Sequence, residues 1–149
     1  MAEVLFYHLT ESRLEDALPP LLEKSLERGW RVSVHVGSEE RCAALDTHLW
    51  TWREESFLPH GSAQSPHAER QPVLLTLDAE AANGATVRFV ADGADVPALE
   101  GVERLVMMFD GHDQVQLDSA RAQWKTLKAG GHTLTYWQQT PDRRWEKKA

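Results

Sequence analysis

At 149 residues the chain has the length of one domain, and 42% hydrophobic with 26% charged residues is the make-up of a globule, which excludes a disordered, collagenous or coiled-coil chain. The formal charge of −7 repels nucleic acid and anionic membrane except through a local basic patch. A single cysteine, Cys42, excludes an internal disulfide and a multi-thiolate metal site; with no signal peptide and no apolar run long enough to span a bilayer, the expectation is one cytoplasmic domain.

In chain order, Val4 to Leu9 reads as a strand, followed by leucines 14, 18, 21, 22 and 26 at helical spacing. Ser12 and Glu15 are placed as a capping box and Gly29 as the stop, while Pro19 and Pro20 require that the helix begin or kink there. Arg31 to Val36 is a second strand, and Ser38 caps a helix that turns Cys42, Leu45 and Leu49 inward. Residues 53–71 have no periodicity. Strands are expected at Pro72 to Leu77 and Thr86 to Ala91, and the turn signal Asn83-Gly84 allows these two to form an antiparallel pair. Asp92 to Gly101 is too short and Pro-interrupted for a good crossover helix. Arg104 to Phe109, a helix from about Asp113 to Ala129 stopped by Gly130-Gly131, and His132 to Trp137 complete the series. The alternation predicts an α/β fold, a mostly parallel twisted sheet flanked by helices with a nucleotide-binding-like topology but no phosphate loop.

The missing loop is read directly. His8-Leu9-Thr10-Glu11-Ser12 after the first strand has no glycine, and Gly37-Ser38-Glu39-Glu40 after the second sets two carboxylates where an anion would sit. Asp92-Gly93 and Asp110-Gly111 follow strands; two aspartates there suit a magnesium ion and a small metal-dependent enzyme, or they are ordinary turn chemistry. No histidine spacing matches a metal motif; His8 and His35 fall within strands, and Cys42 is expected to pack as a small hydrophobe.

The charge is uneven. From Arg121 onward seven basic residues face two acidic ones, a local balance of +5 that leaves −12 on the first 120 residues and suggests an acidic partner for the C-terminal fifth. Leu117, Arg121, Trp124 and Lys128, spaced by four, three and four with Lys125 beside them, share one stripe of the third helix. An aromatic among cations suits a partner offering a carboxylate and an apolar side chain; alternatively Trp124 belongs to the core and the cations to a solvated face. A second apolar group, Leu49-Trp50-Thr51-Trp52 running into Glu55-Ser56-Phe57-Leu58-Pro59-His60, is either tucked onto the domain or offered to a partner.

Phe6-Tyr7, Gly29-Trp30-Arg31-Val32, Leu45-Asp46 with Leu49-Trp50, Glu55-Ser56-Phe57-Leu58-Pro59-His60 and Ala120-Arg121-Ala122-Gln123-Trp124-Lys125 up to Gly131 resemble the chi subunit family of the bacterial DNA polymerase III holoenzyme. The resemblance runs through nearly the whole chain in the same order. It implies a non-catalytic accessory subunit of the clamp-loader complex with no catalytic residue, metal or cofactor of its own. It also implies a surface for the psi subunit, or in some bacteria a repair helicase, made by Trp50, Phe57, Leu58, Pro59 and His60. A second surface, for the acidic, Phe-terminated tail of single-stranded DNA-binding protein, would use Arg121, Trp124, Lys125, Lys128, Leu117, Gly131 and Leu134. Leu117 stands where some relatives carry a basic residue, and the Arg143 to Lys148 run extends beyond some of them. DNA is then approached through a DNA-binding partner rather than directly.

Overall fold

The computed structural model describes residues 3–51, 60–62, 73–77, 84–91, 94 and 101–148, with the backbone alone at 50–51 and 60–62. In chain order these residues form β1 (Glu3–Leu9), α1 (Leu14–Glu27), β2 (Val32–His35), α2 (Glu39–Thr51), β3 (His60–Ser62), β4 (Val73–Thr76), β5 (Val87–Val90), β6 (Arg104–Asp110), α3 (Gln114–Ala129), β7 (Thr133–Gln139) and β8 (Trp145–Lys147). One sheet holds all eight strands in the order β3-β4-β2-β5-β6-β1-β7-β8. Every pairing is parallel except β7 with β8.

The chain leaves β1 toward β2 in one direction along the sheet and leaves β6 toward β7 in the other. Right-handed crossovers therefore put α1 and α3 on opposite faces. The side chains divide accordingly: Leu5 and Leu9 of β1 join Leu14, Leu18, Leu22, Leu45 and Leu49 in one core. Val4 and Phe6 join Leu105, Met107, Phe109, Ala120 and Leu127 in the other.

Two local expectations yield to long-range partners. Helix α1 starts at Leu14 and runs through both prolines; its N-cap is Arg13, with no side-chain cap. Each proline costs about 3 kcal/mol in a helix interior. Burial of Leu14, Leu18 and Leu22, at roughly 2 kcal/mol each, offsets that. The Ser12 and Glu15 side chains do not form the capping box: the Ser12 hydroxyl accepts from Gln139 Nε2, and the Glu15 carboxylate pairs with Arg41. The antiparallel pairing of the strands around Asn83-Gly84 is also overturned, since β4 and β5 lie on either side of β2 and parallel to it. All four residues of β4 are buried, the pattern of a strand covered on both faces, which turn chemistry at Gly84 does not reveal.

The expected helix ends are met at the described residues, whereas Asp92 to Gly101, apart from 94 and 101, lies outside them. Gly29 ends α1 at φ 76°, the Ser38 hydroxyl accepts from Arg41 N at 3.2 Å at the start of α2, and Asp113 caps α3. Leu45 and Leu49 are buried and Cys42 packs half-buried beside them. The short strands β3 and β8 carry no periodicity long enough to show in the sequence.

Candidate partner-binding surfaces

Helix α3 begins where the Asp113 carboxylate accepts from Val115 N at 3.0 Å and Gln116 N at 3.3 Å. Ala120 and Leu127 are its buried residues and fix its rotation against the sheet. That rotation turns the Leu117, Arg121, Trp124, Lys128 stripe along the seam with β7. Leu117 and Trp124 are half-buried against the core, and Arg121, Lys125 and Lys128 are exposed. The Trp124 ring meets Phe6 edge-on at 5.3 Å and Tyr136 at 5.8 Å, while Leu134 packs on the same core from β7. Gly131, exposed at φ 83°, turns the chain from α3 into β7. Leu117, Trp124 and Leu134 thus meet on one core, with Arg121, Lys125 and Lys128 exposed on the same helix, and Trp124 is part core and part surface.

Among the described residues, no carboxylate lies within ion-pair distance of Arg121, Lys125 or Lys128. Of the other cations of the C-terminal fifth, on or near the β7–β8 hairpin, Arg144 pairs with Asp142 and Lys148 with Glu146, each at 3.4 Å, while Arg143 and Lys147 have no described acidic partner. On α3 three such cations share one helix beside Trp124.

Tyr136, which the sequence does not single out, completes the seam from beneath together with Phe6 and His8. Tyr136 stacks on Phe6 at 6.3 Å, and its hydroxyl lies 2.8 Å from His8 Nδ1. Period-two alternation carries the signal, since Phe6 and His8, like Leu134 and Tyr136, fall on the face that α3 covers.

Of the second expected surface, Trp50 lies in the last turn of α2 and His60 opens β3 at the sheet edge beside β4. Phe57, Leu58 and Pro59 lie outside the described residues.

A cavity of about 330 Å³ opens at the carboxyl ends of β1 and β6, where the two crossovers diverge. This is where open α/β sheets hold ligands. Its polar groups are turned on one another. Gln139 Oε1 accepts from three successive amides, Thr10 at 3.3 Å, Glu11 at 3.0 Å and Ser12 at 2.9 Å. The Thr10 hydroxyl donates to Gln139 O at 2.8 Å, and His112 Nε2 lies 2.7 Å from Thr10 O. Glu15 pairs with Arg41; burial alone would raise its pKa, but the hydrogen bond and charge of Arg41, with Arg13 adding to them, hold the carboxyl below its ordinary range.

Asp110 Oδ1 accepts from His112 N at 2.9 Å, the turn chemistry expected of Asp-Gly. Gly111 has a further cause, for a Cβ there would stand 2.1 Å from His8 Nε2. Asp92 lies outside the described residues, and among those described no three His, Cys, Asp or Glu side chains are grouped as a metal site. Burial, helped by Asp46 and Glu39, raises the Cys42 thiol, which makes it less reactive. No helix of the described residues is long and apolar enough to cross a membrane.

The described residues form a mostly parallel α/β sheet with flanking helices and a basic, aromatic seam along α3. The model of the family "DNA polymerase III chi subunit, HolC" matches residues 1–135, and the chain belongs to that family. It is 24% identical over 109 residues to the probable DNA polymerase III subunit chi of Rickettsia prowazekii, a match covering 73% of this chain and 66% of that protein. It is 37% identical over 57 residues to DNA polymerase III subunit chi of Pseudomonas aeruginosa, covering 38% of this chain and 39% of the relative. The matches thus span about two thirds and two fifths of those proteins' own lengths.

Proposed function

We propose that the chain is a non-catalytic subunit of the DNA polymerase III clamp-loader assembly that joins the psi subunit to the acidic C-terminal tail of single-stranded DNA-binding protein. The observation that carries this reading is the α3 seam. Three exposed cations without described acidic partners flank a half-exposed indole, which is the chemistry of a site for acidic side chains and an aromatic end group. Arg121 and Lys128 neutralise carboxylates while Trp124, Leu117 and Leu134 cover the apolar residue, with Lys125 and Gly131 at the rim. The psi subunit is assigned to Trp50, Phe57, Leu58, Pro59 and His60 on the family resemblance. Engagement of the amides after β1 by Gln139 supports a role without nucleotide.

The test is a pair of variants. Phe57→Ala is expected to lose co-purification with the psi subunit and to keep an acidic, Phe-terminated peptide; Arg121→Ala is expected to do the reverse. Loss of both activities in either folded variant contradicts two separate surfaces.

A further inference from the structure

His8 lies beneath the α3 seam in an unusually constrained place. Its ring stacks on Phe109 at 5.0 Å and meets Tyr136 edge-on at 6.0 Å, with Nδ1 2.8 Å from the Tyr136 hydroxyl. Gly111 closes over the far side of the ring, so close that a methyl group would overlap Nε2. The Tyr136 ring in turn touches Trp124 at 5.8 Å and Phe109 at 6.1 Å. Packing alone therefore connects His8 to the stripe expected to receive an acidic partner.

The charged and titratable groups facing His8 come from three elements. Asp110 ends β6, His112 follows in the turn, and Arg121 stands on α3, while Tyr136 faces it from β7. Burial, then Arg121, then His112 disfavour a positive ring, and Asp110 favours one; the balance holds His8 below its ordinary pKa. Arg121 acts on the Tyr136 hydroxyl as well. The Tyr136 hydroxyl suits both forms of the ring, since it donates to a neutral Nδ1 and accepts from a protonated one. A change of charge on His8 thus requires no rearrangement of the pair. A carboxylate seated on Arg121 would cancel one of the charges that oppose protonation.

We infer that His8, hydrogen-bonded to Tyr136, is a proton-linked positioning residue of the α3–β7 seam: docking of an acidic peptide on Arg121 draws a proton onto His8, and docking tightens as pH falls. This rests on the seam being the acidic-partner site proposed above. By linkage, a group whose pKa rises by one unit on binding changes the affinity by up to about tenfold across its titration.

The experiment titrates an Asp-rich, Phe-terminated peptide into the unmodified protein, His8→Gln and Tyr136→Phe at about pH 5 and about pH 8, a window that spans a lowered histidine pKa while the peptide carboxylates stay largely ionised. Thermal melts establish that each variant is folded. The unmodified protein is expected to bind several-fold more tightly at the lower pH, and His8→Gln to lose most of that pH dependence. In the unmodified protein, NMR titration of the His8 ring is expected to show a higher pKa with peptide bound, a readout that needs no variant. Binding with the same pH dependence in His8→Gln, or a His8 pKa unmoved by peptide, overturns the inference and leaves the seam reading standing. Absence of peptide binding at both pH values overturns both.

Discussion

The switch-point cleft and the α3 seam both carry charge, and they differ in what that charge faces. In the cleft, Glu15 meets Arg41, the Asp110 carboxylate meets the His112 amide, and Gln139 takes up three backbone donors in a row. At the seam, Arg121, Lys125 and Lys128 project beside Trp124 with no described carboxylate in reach. A cleft at the switch point is the default ligand site of such a fold, yet the polar groups around this one already bond to the chain itself. The seam holds charge that no carboxylate of the described residues neutralises.

The largest expected effect comes from removing the buried side chain that holds the 10–12 loop beside the cleft. Gln139→Ala leaves three amides without their acceptor and is expected to cost about 2–4 kcal/mol in urea unfolding; Gln139→Glu, which retains an acceptor, should cost less. An alanine variant as stable as the parent would show that the cleft is not held this way. Trp124→Ala comes next, at about 2–3 kcal/mol, because the ring supports Phe6 and Tyr136 as well as the surface. It should lower thermal stability and peptide affinity together, whereas Arg121→Ala should weaken the peptide by about 1–3 kcal/mol and change stability by less than about 0.5 kcal/mol.

The smallest effect belongs to the Glu15–Arg41 pair, at about 1 kcal/mol for a partly exposed bridge. The folded carboxyl has the lower pKa, so its contribution is complete above the unfolded pKa and is lost as pH falls through the folded one. In Arg41→Ala that part of the acid-side decline should disappear, and acid unfolding followed by circular dichroism would show whether it does.

Much of this architecture is legible in the residues because it is local and periodic. The six longer strands and three helices follow from apolar spacing, and Asp113, Ser38 and Gly29 mark ends as their chemistry dictates. What escaped depends on distant partners. Ser12 and Glu15 look like a capping box until Gln139, 127 residues from Ser12, and Arg41 claim their side chains. The strands beside Asn83-Gly84 look like a hairpin until β2 separates them. At the candidate site, Arg121, Trp124 and Lys128 share a stripe that helical spacing alone reveals. Tyr136 and His8 do not show at that level, because a strand register brings them under the helix. Gly111, which reads as turn chemistry, is also fixed by the His8 ring against it.

The proposed role of the charge left facing solvent on α3 is to receive an acidic protein tail. Its most direct test is titration of an acidic, Phe-terminated peptide at low and high salt into the parent, the double variant Arg121→Ala/Lys128→Ala, and Arg13→Ala at the cleft. The parent and Arg13→Ala should bind alike and lose affinity as salt rises, while the double variant binds far more weakly at either salt. An affinity indifferent to salt and unchanged in the double variant would contradict the claim.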